Sequence, residues 1–298
     1  MADKILVVGS ANADLVINSP KMPKLGETLT GSNFRVNAGG KGLNQAVAIA
    51  KLGGDVTFLG CVGEDANGSV LLDALEENGV TFKGGKVTDT PTGIAMITVV
   101  EGNNFIVLSA GANDKLTPDI VQAQAPLIME SDYCVMQLEI PLESVIRVCD
   151  IAKDSSTAVV LNPAPYRELP EELLRNIDYL IPNEHEANDL TGIYPDSEEN
   201  CIKAIADLRD KGVKNVIITL GERGCVYNDG DEIIFRPAIE TKVVDTTSAG
   251  DCFIGALVSR LSRGVNLSDA IDFATKASAI AVSREGASKS IPYENEIK

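Results

Sequence analysis

Tryptophan is absent from the 298-residue chain, and histidine occurs once, at position 185. The missing tryptophan excludes nothing, because 44% of the residues are hydrophobic and suffice for a large interior. The single histidine excludes more: no zinc centre built on several imidazoles, and no Ser-His-Asp triad using any other histidine, can form. Cationic residues are also in the minority. Lysine and arginine number 26 against 43 acidic residues, a formal net charge of −17, which argues against nucleic acid or an anionic membrane as partner. Local glycines, lysines and helix ends can still receive an anionic substrate. No apolar run approaches the roughly 18 residues that span a bilayer. Cys61, Cys134, Cys149, Cys201, Cys225 and Cys252 contain no Cys-x-x-Cys pair, and Cys134 and Cys149 sit in apolar runs, as reduced core thiols do. Met1-Ala2-Asp3-Lys4 leads straight into a strand without a signal-peptide pattern. These features predict a soluble cytoplasmic protein.

What is present is an alternation of two patterns. Short apolar runs at Lys4–Val8, Val56–Leu59, Tyr133–Leu138, Ala158–Leu161, Tyr179–Ile181 and Val216–Leu220 read as buried parallel strands. Between them lie helix patterns at Lys41–Leu52, Ser69–Asn78, Pro141–Lys153 and Glu198–Lys211, with another opened by Thr117 as cap and Pro118 at its first position. Such alternation predicts an α/β fold, doubly wound, with a mainly parallel central sheet and helices on both faces. Asp14–Ile17, Thr28–Val36, Gly93–Val100 and Asn104–Leu108 break the alternation, the last two joined by a hairpin turn at Gly102-Asn103. They predict a small β lid, formed by about 14–38 and 93–109 and inserted into one domain of residues 1–298. A lid of this kind can close over a substrate, serve as a dimerisation sheet, or do both.

Five stretches can carry chemistry. Val243–Phe253 places Asp245 and Asp251 around small and hydroxyl residues before an apolar-periodic helix. Amides of a first helical turn lack partners and receive anions, and Asp251 there would be kept ionised by the helix dipole as a base for an alcohol. An anion hole beside a base suits phosphoryl transfer; a capped helix entry explains the same residues about as well. After the first strand a dinucleotide fold would have Gly-x-Gly-x-x-Gly, but only Gly9 is present. Asn12 and Asp14 can instead hold sugar hydroxyls, or form an Asx turn. Gly39-Gly40-Lys41-Gly42-Leu43-Asn44 is not a Walker loop; its glycines can hinge a lid strand to a helix and let amides reach a hydroxyl or phosphate, although taken alone a plain Gly-rich helix start explains them better. Asn183 and Glu186 share a helix face and suit Mg²⁺, which prefers oxygen ligands, while His185 points off that face as a bystander. Thr219-Leu220-Gly221-Glu222-Arg223-Gly224 ends a core strand with a turn whose amides can meet phosphates, or with a plain left-handed turn.

Taken in order, these stretches resemble the ribokinase family of sugar kinases from Lys4 to about Pro292. The carrying motifs include Asn12-Ala13-Asp14, Gly39–Gln45, Met136-Gln137-Leu138-Glu139, Asn162-Pro163-Ala164-Pro165, Asn183-x-x-Glu186 and Asp245–Asp251. The resemblance implies ATP-dependent phosphorylation of D-ribose at O5. By it, Asp251 is the base, and Ser248, Ala249, Gly250 and Asp251 form the anion hole. Asn12, Asp14, Gly40, Lys41, Gly42, Asn44 and Glu139 hold the sugar. Asn183, Thr219, Gly221, Glu222, Arg223, Gly224, Gly250 and Thr275 hold ATP. Glu186 orders Mg²⁺ through water, while Asp245, Thr247, Ala281, Arg284, Gly286 and Ser290 hold K⁺. A homodimer through the lid is implied too. Ser248 stands where the family usually has glycine, and small residues at that position in relatives imply that φ > 0 is not required there. A kinase of another sugar such as 2-deoxyribose, and a sugar-binding protein without turnover, are the competing readings.

Overall fold

The computed structural model describes residues 4–298, so Met1, Ala2 and Asp3 ahead of the first strand lie outside the described residues. In chain order the strands are β1 (Lys4–Val8), β2 (Asn12–Asn18), β3 (Ser32–Gly39), β4 (Asp55–Leu59), β5 (Cys61–Gly63), β6 (Thr81–Phe82), β7 (Gly85–Val87), β8 (Gly93–Val100), β9 (Asn103–Ser109), β10 (Tyr133–Met136), β11 (Ala158–Leu161), β12 (Tyr179–Leu180), β13 (Asn215–Thr219), β14 (Cys225–Asp229) and β15 (Glu232–Arg236). The helices are α1 (Lys41–Lys51), α2 (Ala66–Glu77), α3 (Pro118–Ala123), α4 (Ala125–Met129), α5 (Leu142–Lys153), α6 (Glu171–Leu174), α7 (Glu184–Thr191), α8 (Glu198–Asp210), α9 (Ala249–Leu261) and α10 (Leu267–Val282).

β1 shows why both faces of the main sheet are covered. Successive strand side chains point to opposite faces. Ile5 and Val7 join Leu43, Val47, Phe253 and Leu257 on one side; Leu6 and Val8 join Leu138, Val145 and Val148 on the other. A strand apolar at every position is stable only between two helix layers. The sheet runs β15-β14-β13-β12-β11-β10-β1-β4-β6, parallel from β6 to β13. An antiparallel edge, β14 and β15, follows β13 and was not legible from the strand runs. From β1 the chain winds outward through β4 and β6, then returns to start β10 on β1's other side. The winding therefore reverses between β1 and β10, where open α/β sheets form a crevice at their carboxyl ends.

The lid is a four-stranded sheet, β3-β2-β8-β9. Its third segment in the chain, β8, pairs parallel with β2, while β2–β3 and β8–β9 are antiparallel. β2 and β9 each extend beyond the expected Asp14–Ile17 and Asn104–Leu108, and two further features differ from expectation. Residues 28–31 stand outside β3, which instead extends to Gly39, because Asn12 pairs with Gly39. The hairpin loop is Glu101-Gly102, since Asn103 already pairs with Val100; both loop residues have positive φ (48° and 81°), as a twist-matched two-residue turn requires. Period two gives the lid two characters. Asn12 and Asp14 of β2 share one face, whereas Leu15 lies on the other in a row with Val36, Met96 and Val107.

α1 and α9 meet through small residues. A Cβ on Gly255 would stand 2.4 Å from the Ala48 side chain and 3.0 Å from the Ile49 amide nitrogen, so glycine is what allows the two helices this approach. One turn before Gly255 lies Asp251; one turn before Ala48 lie Asn44 and Gln45. The crossing thus sets the distance between a carboxylate and two amides.

Candidate active site

The β1–β10 crevice is drawn together by one carboxylate. Glu139, just beyond β10, accepts through Oε2 from Ser10 Oγ (2.5 Å), the Lys41 amide (3.1 Å) and Asn12 Nδ2 (3.4 Å). Asn12 is itself oriented: Asn113 Nδ2 donates to its Oδ1 (2.7 Å), and Asn113 Oδ1 accepts from the Ala11 amide (2.9 Å). Gly40 has φ 88°, and a Cβ there would lie 2.7 Å from the Asn12 nitrogen, so the lid-to-helix hinge needs glycine on both counts. Gly42 is buried behind it, its amide directed to Ser10 Oγ at 3.4 Å. Asp14 is buried, and among the described residues no hydrogen bond to its carboxylate is formed. Burial, with the nearby charges of Glu139 and Asp251, pushes its pKa up to about 7.

Asp251 occupies the first turn of α9, facing α1. Its Oδ1 accepts from Gln45 Nε2 (3.0 Å) and its Oδ2 from Asn44 Nδ2 (3.2 Å). Among the described residues the amides of Gly250 and Asp251 have no acceptor, whereas that of Ala249 is already bonded to the Thr246 carbonyl at 3.2 Å. The helix dipole does not keep this carboxylate at an ordinary value. Burial pushes the Asp251 pKa up, opposed by the Lys41 charge and by the Gln45 and Asn44 donors. Around Lys41, burial alone would lower the ammonium pKa, but Asp251, Glu139 and Glu186 outweigh it and raise it. Ser248, which caps α9, has φ 62°, so the position does take the left-handed backbone that was not expected of it. Its hydroxyl accepts from Asn44 Nδ2 at 3.0 Å. That bond offsets part of the cost of placing a side chain there, about 1–2 kcal/mol.

Asn183 and Glu186 form a reciprocal capping box at the start of α7. The Asn183 amide and Nδ2 donate to the two Glu186 oxygens, and the Glu186 amide donates to Asn183 Oδ1, all at 2.9 Å. Asn183 also bridges to Thr219 at the end of β13, bringing that turn beside α7. His185 is exposed, against the ring of Tyr194. In the turn, Gly221 and Gly224 have φ 55° and 93°, and Arg223 is drawn to Glu184 and the Pro195 carbonyl. Thr275 donates its hydroxyl to Ile271 of its own helix. Asp245 accepts from Thr247 and from the Gly286 amide (3.0 Å), which ties the loop before α9 to the segment after α10. Ala281 accepts from the Arg284 amide, Arg284 pairs with Glu296, and Ser290 donates to the Ala287 carbonyl.

The motifs assign no role to Ser10, Gln45, Asn113, Gln137 or Asn162. Three of these stood inside motifs, but only the fold shows which partners they face. A groove of about 580 Å³ lined by Lys153, Thr157, Arg175, Asp178 and Lys214 opens at the opposite, amino edge of the sheet, remote from every residue chosen from sequence. The reactive arrangement is at the carboxyl edge: a buried carboxylate, two unpaired amides on the same helical turn, and polar lid residues opposite.

Known proteins resemble this chain along its length. The family model described as pfkB family carbohydrate kinase matches residues 2–294. A ribokinase of Haemophilus influenzae is 41% identical over 99% of this chain and 97% of its own. A deoxyribokinase of Salmonella typhi is 36% identical over 97% of this chain and 95% of its own. The structure of Arabidopsis thaliana ribokinase complexed with ribose and ATP superposes with a TM-score of 0.93 at 34% identity, covering 100% of this chain and 98% of that one. With identity and architecture agreeing over the whole length, the chain belongs to the pfkB family of carbohydrate kinases.

Proposed function

We propose that the protein phosphorylates D-ribose at O5 with ATP, giving ribose 5-phosphate and ADP. The observation that carries this reading is the Asp251 carboxylate on the same first turn as the unpaired Gly250 and Asp251 amides, facing the cleft of Asp14 and Glu139. Asn12, Asp14, Asn44 and Glu139 bind the sugar hydroxyls, with the backbone at Gly40, Lys41 and Gly42 beneath them. Among the described residues the buried Asn44 Oδ1 has no donor, which supports Asn44 as a partner for a sugar hydroxyl. Asp251 takes the proton of the 5-hydroxyl as that oxygen attacks the γ-phosphorus, and the bond to the β–γ bridging oxygen breaks. The unpaired amides of Gly250 and Asp251 hold the charge that spreads over the transferring group, aided by the Lys41 ammonium. ATP lies along Thr219–Gly224, with Asn183 toward the phosphates and Thr275 toward the base.

Mg²⁺ fits the oxygens present, the Glu186 carboxylate and the Asn183 amide oxygen, each of which keeps a lone pair beyond its capping-box bond; Glu186 would hold the ion through water. When bound, the ion supplies charge neutralisation on the nucleotide phosphates. K⁺ fits Asp245, Thr247, Ala281, Arg284, Gly286 and Ser290 as a set of one carboxylate and several backbone carbonyls. A homodimer through the outer lid face is supported by the Val36–Leu15–Met96–Val107 row, of which Met96 and Val107 are 58% and 69% exposed. A second copy offers the same row, as a two-fold interface requires. Six buried, unpaired thiols support a reducing, cytoplasmic setting.

ADP release in K⁺ buffer, measured over ribose, 2-deoxyribose and other pentoses, tests the sugar; the deoxyribokinase relative keeps 2-deoxyribose as the second candidate. Asp251→Asn should lower turnover by about 10²–10⁴ while ribose binding persists. Unchanged turnover removes Asp251 from the role of base, and ribose binding without any turnover in the wild type supports a binding protein instead. Equal rates in Na⁺-only and K⁺ buffers would remove the monovalent cation.

A further inference from the structure

Behind Asp251 runs a chain of buried amides that the sugar and nucleotide roles do not use. Gln137 Nε2 donates to Gln45 Oε1 at 2.6 Å, and Gln45 Nε2 donates to Asp251 Oδ1 at 3.0 Å. Gln45 and Gln137 are wholly excluded from solvent. The polarity of the chain is fixed at several points. Asn162 Nδ2 must face a carbonyl, that of Ile181 (3.0 Å), which turns Asn162 Oδ1 toward Gln45 Nε2 (3.4 Å). Gln45 therefore presents its NH₂ end to two oxygens and its carbonyl to Gln137. Gln137 meets that demand with its own NH₂ and leaves its Oε1 buried against Gly9, without a donor among the described residues. Leaving an acceptor unsatisfied is costly, and a network that retains one is under constraint from another source. Here that source is the charged oxygen at the end of the chain.

We propose that Gln45, held by Gln137 and Asn162, is a positioning residue that engages Asp251 Oδ1 from the interior, so that Oδ2 receives the proton of the acceptor alcohol. This rests on the kinase reading for its function, but not for its geometry. Oδ1 faces a side chain with no solvent contact, whereas Oδ2 shares Asn44 with Ser248 at the cleft. A donor at Oδ1 also favours the ionised carboxylate and so opposes burial, which pushes Asp251 up. The other charged groups around Asp251 are Lys41 at the start of α1, Glu139 after β10, Asp14 on the lid and Glu186 on α7. All remain when Gln45 is changed.

The test is Gln45→Met, which keeps the length of the side chain and removes both polar groups, with Gln137→Met as the change one link further back. In Gln45→Met the acid limb of the kcat–pH profile should move up by about one pH unit, with kcat near pH 7 lowered by about 10–100-fold and partly recovered at high pH. The KM for ribose should change less than threefold. Gln137→Met should move the limb in the same direction by less. The carboxyl ¹³C resonance of Asp251, assigned by its loss in Asp251→Asn, gives a readout that needs no turnover: its titration should move up in Gln45→Met. If that resonance moves in a wild-type background that phosphorylates no sugar, the kinase reading fails and the positioning role stands. An unmoved titration, or a kcat lowered equally at every pH in a folded variant, overturns the proposal. Should Gln45→Met not fold, the same titration in Gln137→Met decides, and an unmoved resonance there is equally fatal.

Discussion

Replacing Asp14 by asparagine should stabilise the ligand-free protein while removing its affinity for sugar. Asp14 is buried on the cleft face of β2, and its neighbours Glu139 and Asp251 add negative charge rather than relieve it; together these push its pKa from 3.8 to about 7. Between those two values the folded state holds a proton that the unfolded chain has lost. Stability therefore falls as pH rises through that window, and the full cost is present above pH 7. At about 1.4 kcal/mol for each pH unit, the cost is at most about 4 kcal/mol. An asparagine NH₂ beside Gly39 would lack an acceptor and takes back about 1 kcal/mol, leaving a net gain of roughly 2–3 kcal/mol at pH 8. Urea unfolding of both proteins at pH 5, 6, 7 and 8 reads this directly. The stability difference should grow with pH and level off above 7. A difference that is constant across the series, or a variant less stable than wild type at pH 8, refutes the reasoning. Sugar hydroxyls that donate to this carboxylate would lower its pKa again, so ribose binding near pH 7 should release protons. Calorimetry in buffers of different ionisation enthalpy detects that release.

Three further outcomes follow from single distances and angles. Ser248→Gly and Ser248→Ala both delete the hydroxyl that meets Asn44, but only glycine relieves φ 62°; the glycine variant should be about 1 kcal/mol more stable than the alanine variant, and thermal denaturation ranks them. Gly255→Ala should destabilise by about 1–3 kcal/mol, because its Cβ meets Ala48 at 2.4 Å. It should also lower kcat more than KM, since the parting helices separate Asp251 from Asn44 and Gln45. Met96→Lys with Val107→Lys should shift the protein toward monomer in sedimentation while leaving its fold intact, because both side chains stand on the solvent-facing side of the lid.

The sheet was readable because its strands are apolar at every position and its helices are punctuated. Lys4–Val8 and Ala158–Leu161 have the same bounds in sequence and structure. The capping residues of α3 were also legible: Thr117 as cap with Pro118 behind it. Ends were less so. Val216–Leu220 sits one residue late, because Leu220 is apolar yet already belongs to the turn closed by Gly224. β14 and β15 are not legible because Cys225–Arg236 mixes polar and apolar residues without alternating; buried Asn228 is accommodated in β14 by accepting from the Val216 amide.

The site divides along a different line: local chemistry was legible and long-range pairing was not. The helix-start amides of Gly250 and Asp251, the Asn183–Glu186 spacing and the glycine hinge at 39–42 all operate within a few residues of themselves, so the chain displays them openly, whereas the Ala249 amide, also expected there, is taken by the Thr246 carbonyl. The partners that orient them come from far away. Gln45 meets Asp251 across 206 positions, and Asn12 meets Asn113 across 101. Nothing in Gly39–Gln45 reveals that Asn44 and Gln45, about 100° apart around the helix, both meet the same buried carboxylate. What decides is the crossing of α1 on α9, and that crossing depends on Gly255, a residue in a helix interior where glycine ordinarily costs about 1 kcal/mol relative to alanine. A glycine retained at such a cost marks a close helix contact, and the sequence signal for the site's geometry was therefore present four residues after Asp251, outside every motif.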